Sequence, residues 1–124
     1  MSDQPHYPRP AQIEAYGAGG FCFAGMSHRG SILALPSGVW AWPPRAPAEI
    51  DEASLARVFE EKVGIDIFLI GCGRDPVLLA EPVRRRLQKE GLSFDAMPTR
   101  AAASTYNVLF AEGRRVAAAL IAVE

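Results

Sequence analysis

Sulfur and imidazole are scarce in this chain: its 124 residues hold two cysteines, Cys22 and Cys72, and two histidines, His6 and His28. Two thiols are too few for a disulfide scaffold or a four-thiolate centre. No pair of His, Cys or carboxylate residues stands at ligand spacing with a second pair to complete a shell, so no metal is expected. The low thiol count also points to a reducing compartment. An excess of one charge is missing as well. Thirteen basic and 14 acidic side chains leave a formal charge of −1, with an isoelectric point near 6.1. That provides no field to hold nucleic acid or an anionic membrane by charge alone. Long apolar runs are lacking too. The longest uncharged run, residues 30–44, is interrupted by Pro36, Gly38, Pro43 and Pro44, and it falls short of the ~20 apolar residues of a membrane helix. The first dozen residues, with Pro5, Pro8 and Pro10 among them, resemble neither a signal peptide nor an Arg-rich leader. The expectation is a disordered tail over 1–12, one folded domain over 13–124, no transmembrane segment and a cytoplasmic location.

What is present is ordinary for a globular domain: 49% apolar and 22% charged residues. A chain of this length buries roughly two thirds of its unfolded surface, enough to fold without staples. From Ile13 to Trp42, glycines punctuate short apolar runs, which predicts antiparallel strands at Ile13–Tyr16, Phe21–Ala24, Ser31–Leu35 and Val39–Trp42. Alternation puts Phe21 and Phe23 on one face with Cys22 on the other, and sets Trp40 and Trp42 on a shared face, in the core or on an interaction surface. After a proline-rich linker, Asp51 caps a predicted helix with Leu55, Val58, Phe59 and Val63 as its apolar stripe and Gly64 as its stop. Glu60, Glu61 and Lys62 read as an ordinary charged face. A buried strand follows at Ile65–Ile70, then the loop Gly71–Pro76. A helix begins near Pro82 and stops at Gly91, a strand spans Leu92–Ala96, Thr99 caps a third helix ended by Gly113, and a last buried strand covers Val116–Val123. Strand–helix–strand–helix–strand implies an α/β class with parallel or mixed pairing, and with the N-terminal antiparallel strands packed on it.

Candidate chemistry is sparse. The loop carrying Gly71, Cys72, Gly73 and Arg74 stands at the carboxyl end of a predicted strand, where α/β sheets bind ligands, and with Met97, Thr99 and Arg100 it outlines a cleft for a carboxylate or phosphate. The glycines equally well let the chain leave the strand sharply. The spacing lacks the three glycines of a dinucleotide fingerprint. Cys72 reads as a structural thiol or, with Arg74 nearby, as a nucleophile without an evident base. Thr105 and Asn107 are unusual inside a helix; with Glu112 and Arg115 they suggest a polar network that either stabilises the fold or faces a cleft. Arg84 and Arg86 on the outer side of the second helix offer a partner face or simply a solvated one. No catalytic constellation and no cofactor are expected.

Several stretches together carry a resemblance: Gly17–Phe21; Gly30-Ser31 before an apolar strand; Trp40; Gly71-Cys72-Gly73; Met97-Pro98-Thr99; Thr105–Leu109; Glu112–Val116; and Ala118–Leu120. They make the chain similar, over Ile13–Val123, to a small Mth-type domain family of unknown biochemical function. That family includes the mitochondrial NADH dehydrogenase (complex I) assembly factor three and the adipogenesis-associated Mth-type domain protein. The resemblance implies three layers (β+α/β/α) around a central mixed sheet with one central strand opposed to the others. It implies no established activity, cofactor or metal. What it does imply is assembly through protein partners, respiratory-complex and inner-membrane assembly proteins among them, with peripheral membrane association through those partners and a homo-oligomer compatible with it. The absence of an evident leader points to a bacterial source. A small-molecule or anion-binding protein using the Gly71–Asp75 cleft is the alternative.

Overall fold

Two tight turns start the fold. Ala18-Gly19 and Ala24-Gly25 hold φ values of 52°, 80°, 50° and 73°, left-handed at both central positions, as the twist of a two-residue hairpin demands. They join β1 (Ala15–Gly17), β2 (Gly20–Phe23) and β3 (Met26–Arg29) into a three-stranded antiparallel sheet. The computed structural model describes residues 4–124. Strand β3 was not foreseen, since Met26-Ser27-His28-Arg29 has no β-branched residue; cross-strand pairing with β2 imposes the conformation. The first expected strand also shifts, because Ile13 is claimed by a helix, as described below.

A five-stranded sheet forms the middle layer in the order β5-β4-β8-β6-β7, from β4 (Ser31–Leu35), β5 (Gly38–Trp42), β6 (Ile67–Gly71), β7 (Phe94–Met97) and β8 (Val116–Leu120). Strand β6 is parallel to both β7 and β8, while β4 is antiparallel to β5 and β8. Strand β4 therefore opposes the other four, as the resemblance implied. Helix α2 (Glu81–Lys89) connects β6 to β7, and α3 (Thr99–Ala111) connects β7 to β8.

The central strand β8 shows why two layers can close on the sheet. Ala117 and Ala119 face one core with Phe68, Ile70, Val83 and Leu87, whereas Val116, Ala118 and Leu120 face the other with Phe21, Phe23, Ala102, Ala103 and Tyr106. Small side chains on the central strand let the flanking elements approach closely. Each large residue they bury contributes ~1.5–3 kcal/mol. On the α2 side, the expected helix over 51–63 is instead broken into 3-10 turns (Ala53–Leu55 and Lys62–Gly64) around α1 (Ala56–Glu60). Asp51 does open it, accepting the Ser54 N–H at 2.8 Å. Val63, expected in the apolar stripe, is 85% exposed, because the final 3-10 turn rotates it away from the helix face. Trp40 and Trp42 are both core: their indole N–H groups donate to Ser37 Oγ (2.9 Å) and Ser54 O (2.7 Å), and Arg57 lies over Trp40.

The segment expected as a disordered tail makes specific contacts, although residues 1–3 of it lie outside the described residues. His6 and Tyr7 bridge to Val39 on the edge of β5. A Cβ on Gly38 would collide with Tyr7 O, so the approach depends on glycine. Further on, Ala11 is buried and its carbonyl accepts the Tyr106 hydroxyl at 2.9 Å. Backbone groups with partners in the fold displace the disorder that three prolines suggested.

Candidate functional site

The loop after β6 is where the sequence placed its first cleft, and between this loop and the end of β8 the structure seats one buried side chain. Thr99 is fully buried; its Oγ1 accepts the Gly73 N–H at 2.9 Å and donates to Ile121 O at 2.7 Å. Its own N–H donates to Gly73 O at 2.8 Å, while Cys72 N–H donates to Met97 O and Ile121 N–H to Gly71 O. The ends of β6, β7 and β8 are thus tied to the start of α3 by a closed set of hydrogen bonds. Thr99 does not cap α3 as expected: Pro98 occupies the capping position with ψ of 148°, which moves the hydroxyl from the helix end to the strand ends. A Cβ on Gly71 would meet Thr99 Cα and Leu120 Cδ2 at 2.9 Å each, so close packing against this threonine explains that glycine.

Cys72 belongs to the same knot. It is 1% exposed, its Sγ lies 3.9 Å from Ile70 O, and burial pushes its thiol pKa up. A raised pKa and no access are the opposite of what a nucleophilic thiol needs. Cys22 is the more accessible sulfur, half-buried beside Ser27 Oγ. Met97 is half-buried against the α3-side core, whereas Arg74 and Arg100 are exposed.

The polar set on α3 separates into independent contacts. Asn107 clamps Ile13, accepting its N–H and donating to its carbonyl, both at 2.8 Å. Arg115 pairs with Asp66 instead (2.8 Å), and this hydrogen bond holds the Asp66 carboxyl below its usual range. Thr105 is half-buried and Glu112 exposed at the C-terminal end of the helix. The network expected from Thr105, Asn107, Glu112 and Arg115 does not form, because the partners of Asn107 and Arg115 come from distant segments that a helical spacing does not reveal.

On α2, Arg84 is exposed and only loosely paired with Glu81 at 4.0 Å, whereas Arg86 is committed. Its guanidinium donates to Glu90 (2.8 Å) and Glu52 (3.1 Å) and lies over the Phe59 ring. Lys62 joins at 2.7 Å from Glu90; the Lys62 and Arg86 bonds lower the Glu90 pKa. This cluster joins α2 to the 51–64 segment. The i,i+4 spacing of Arg86 and Glu90 was legible in the sequence; the third and fourth members were not. Among the described residues every buried side-chain nitrogen and oxygen has a partner, and no three His, Cys, Asp or Glu side chains converge to a metal-sized site.

Known proteins match this architecture over nearly its whole length. A Bartonella henselae protein, described as an outer membrane protein, superposes with a TM-score of 0.92 at 47% identity, covering 96% of this chain and all of that one. A Bordetella pertussis protein described as a Mth938-like domain gives 0.78 at 29% identity, covering 98% and 90%. The NADH dehydrogenase (ubiquinone) 1 alpha subcomplex assembly factor 3 of Mus musculus is 29% identical over 118 residues; the match takes in 95% of this chain and 64% of that protein. The family model for the protein of unknown function DUF498/DUF598 matches residues 13–121, and the chain belongs to that family.

Proposed function

We propose that this chain is a protein-interaction domain that serves the assembly of a respiratory NADH dehydrogenase, acting by binding partner proteins at or near the membrane that holds the complex. The observation that carries the reading is the 29% identity, over 95% of the chain, to an NADH dehydrogenase assembly factor. The chain spans 64% of that relative's length, so the shared part is the folded domain described above. The geometry supports a binding role in a second way. The N–H groups of Cys72 and Gly73, which an anion site in this loop would use, are spent on Met97 and Thr99. No helix among the described residues is long and apolar enough to cross a membrane.

The test is co-purification from membranes solubilised in mild detergent, comparing the wild type with Arg84→Glu, a change on the exposed side of α2. NADH dehydrogenase subunits or their assembly proteins should be enriched with the wild type. If Arg84→Glu loses them, α2 is part of the contact. If neither protein recovers such partners, the assembly reading fails.

A further inference from the structure

Seven of the thirteen basic side chains are held in an ion pair or against an aromatic ring. Among the described residues Lys62, Arg84, Arg85, Arg86 and Arg115 lie in ion pairs, and Arg9 and Arg57 cover Tyr7 and Trp40. Among the described residues Arg29, Arg45, Arg74, Lys89, Arg100 and Arg114 have neither kind of partner; of these, Arg29, Arg45 and Arg74 line one groove.

The groove crosses the end of the central sheet where β5, β6 and β8 finish. Its floor is the chain leaving β8, fixed on both sides: Ile121 N–H donates to Gly71 O (2.9 Å), Ala122 N–H to Ser31 Oγ (3.0 Å), and Gly19 N–H to Val123 O (2.8 Å). Two hollows of about 460 and 360 Å³ meet along this floor. Arg29, at the end of β3, lines only the first, and Arg74, after β6, only the second. Arg45 lines both, as do Ala122 and Glu124. The carboxylates present are Glu124 and Asp75, and neither comes within 4.0 Å of these guanidiniums. Val77, 43% exposed, adds an apolar surface to the second hollow.

We propose that this groove docks an extended acidic segment of a protein partner; the proposal rests on the interaction reading and names the chemistry of the contact. Guanidinium forks recognise carboxylates in bidentate fashion. Spacing along two joined hollows, rather than convergence on one point, favours a peptide bearing several carboxylates over a compact anion. Apolar contacts beside Arg74 suit the stems of such side chains.

The proposal is tested by titrating the isotopically labelled protein with a hexaglutamate peptide and, separately, with inorganic phosphate, and following its amide resonances. The peptide should shift Gly19, Gly30, Gly73 and Val123 saturably. Arg45→Glu should weaken binding about tenfold or more, Arg29→Glu should also weaken it, and Arg114→Glu, on an exposed residue outside both hollows, should leave it unchanged. All three residues are exposed, so circular dichroism should report folded variants. The proposal is overturned by absent or unsaturable shifts, by equal binding of Arg45→Glu, or by phosphate matching the peptide in shifts and affinity, which makes the groove a small-anion site. Failure here is separable from failure of the interaction reading. Partners that co-purify equally with wild type and Arg45→Glu remove the groove alone, whereas peptide binding with no partner recovered removes the docking role together with that reading.

Discussion

Replacing Thr99 by valine keeps the shape of a fully buried side chain and deletes one oxygen. That oxygen accepts from Gly73 N–H and donates to Ile121 O, so the variant strands two buried backbone groups at once. Each such group costs ~1–3 kcal/mol when left without a partner. The expected loss is about 3–4 kcal/mol, a large part of the ~5–15 kcal/mol that holds a domain of this kind together. With a urea slope of ~2 kcal/mol per molar, the unfolding midpoint should fall by roughly 1.5–2 M at unchanged slope. Thr99→Ser keeps the hydroxyl and gives up a methyl group, so about 1 kcal/mol separates it from wild type. Urea unfolding followed by tryptophan fluorescence reads both, since Trp40 and Trp42 are core residues on the same sheet. A Thr99→Val stability within about 0.5 kcal/mol of wild type would refute the claim that this hydroxyl ties the strand ends together.

Asn107→Ala should cost about 2 kcal/mol, because both of its hydrogen bonds to Ile13 vanish and the N-terminal segment loses its anchor on α3; faster exchange of the Ile13 amide checks it, and an unchanged rate counts against it. Thiol labelling at neutral pH should modify Cys22 readily and Cys72 only at the rate of unfolding, since Cys72 is buried with a raised pKa; equal rates would mean the loop opens in the native state. His28 should make stability depend on pH. Burial first, and then the neighbouring His6, hold its pKa below 6.5, so on acidification the unfolded chain takes up the proton before the folded one. The stability it contributes is complete above the unfolded value and lost as pH falls through the folded one. His28→Gln should flatten the stability profile between about pH 7 and 5, and identical slopes would assign the dependence elsewhere.

Elements with strong local patterns were legible in the sequence. The apolar run ending at Gly71, the Ala-rich Val116–Leu120 and the helix opening at Pro82 all stand close to where the residues placed them. Elements defined by distant partners were not. Met26–Arg29 becomes a strand only through its pairing with β2. The N-terminal segment is ordered by Val39, Tyr106 and Asn107, residues 32 to 95 positions away along the chain. The same division runs through the candidate site. Asn107 was identified as a polar group needing specific bonds and Thr99 as a helix cap beside the cleft, but their partners, Ile13, Gly73 and Ile121, follow from topology rather than spacing. Of the unpaired arginines of the groove only Arg74 was singled out, with its glycine loop; Arg29 and Arg45 had no local signature, because they come from separate segments that only the fold brings to one edge.

The most direct test of the assembly role is to delete the gene in its native cell and measure assembled NADH dehydrogenase on native gels together with NADH oxidation by the membranes. The account predicts that assembled complex falls severalfold while transcripts of its subunits persist, and that the wild-type chain restores it. Unchanged levels of active complex in the deletion strain would contradict it.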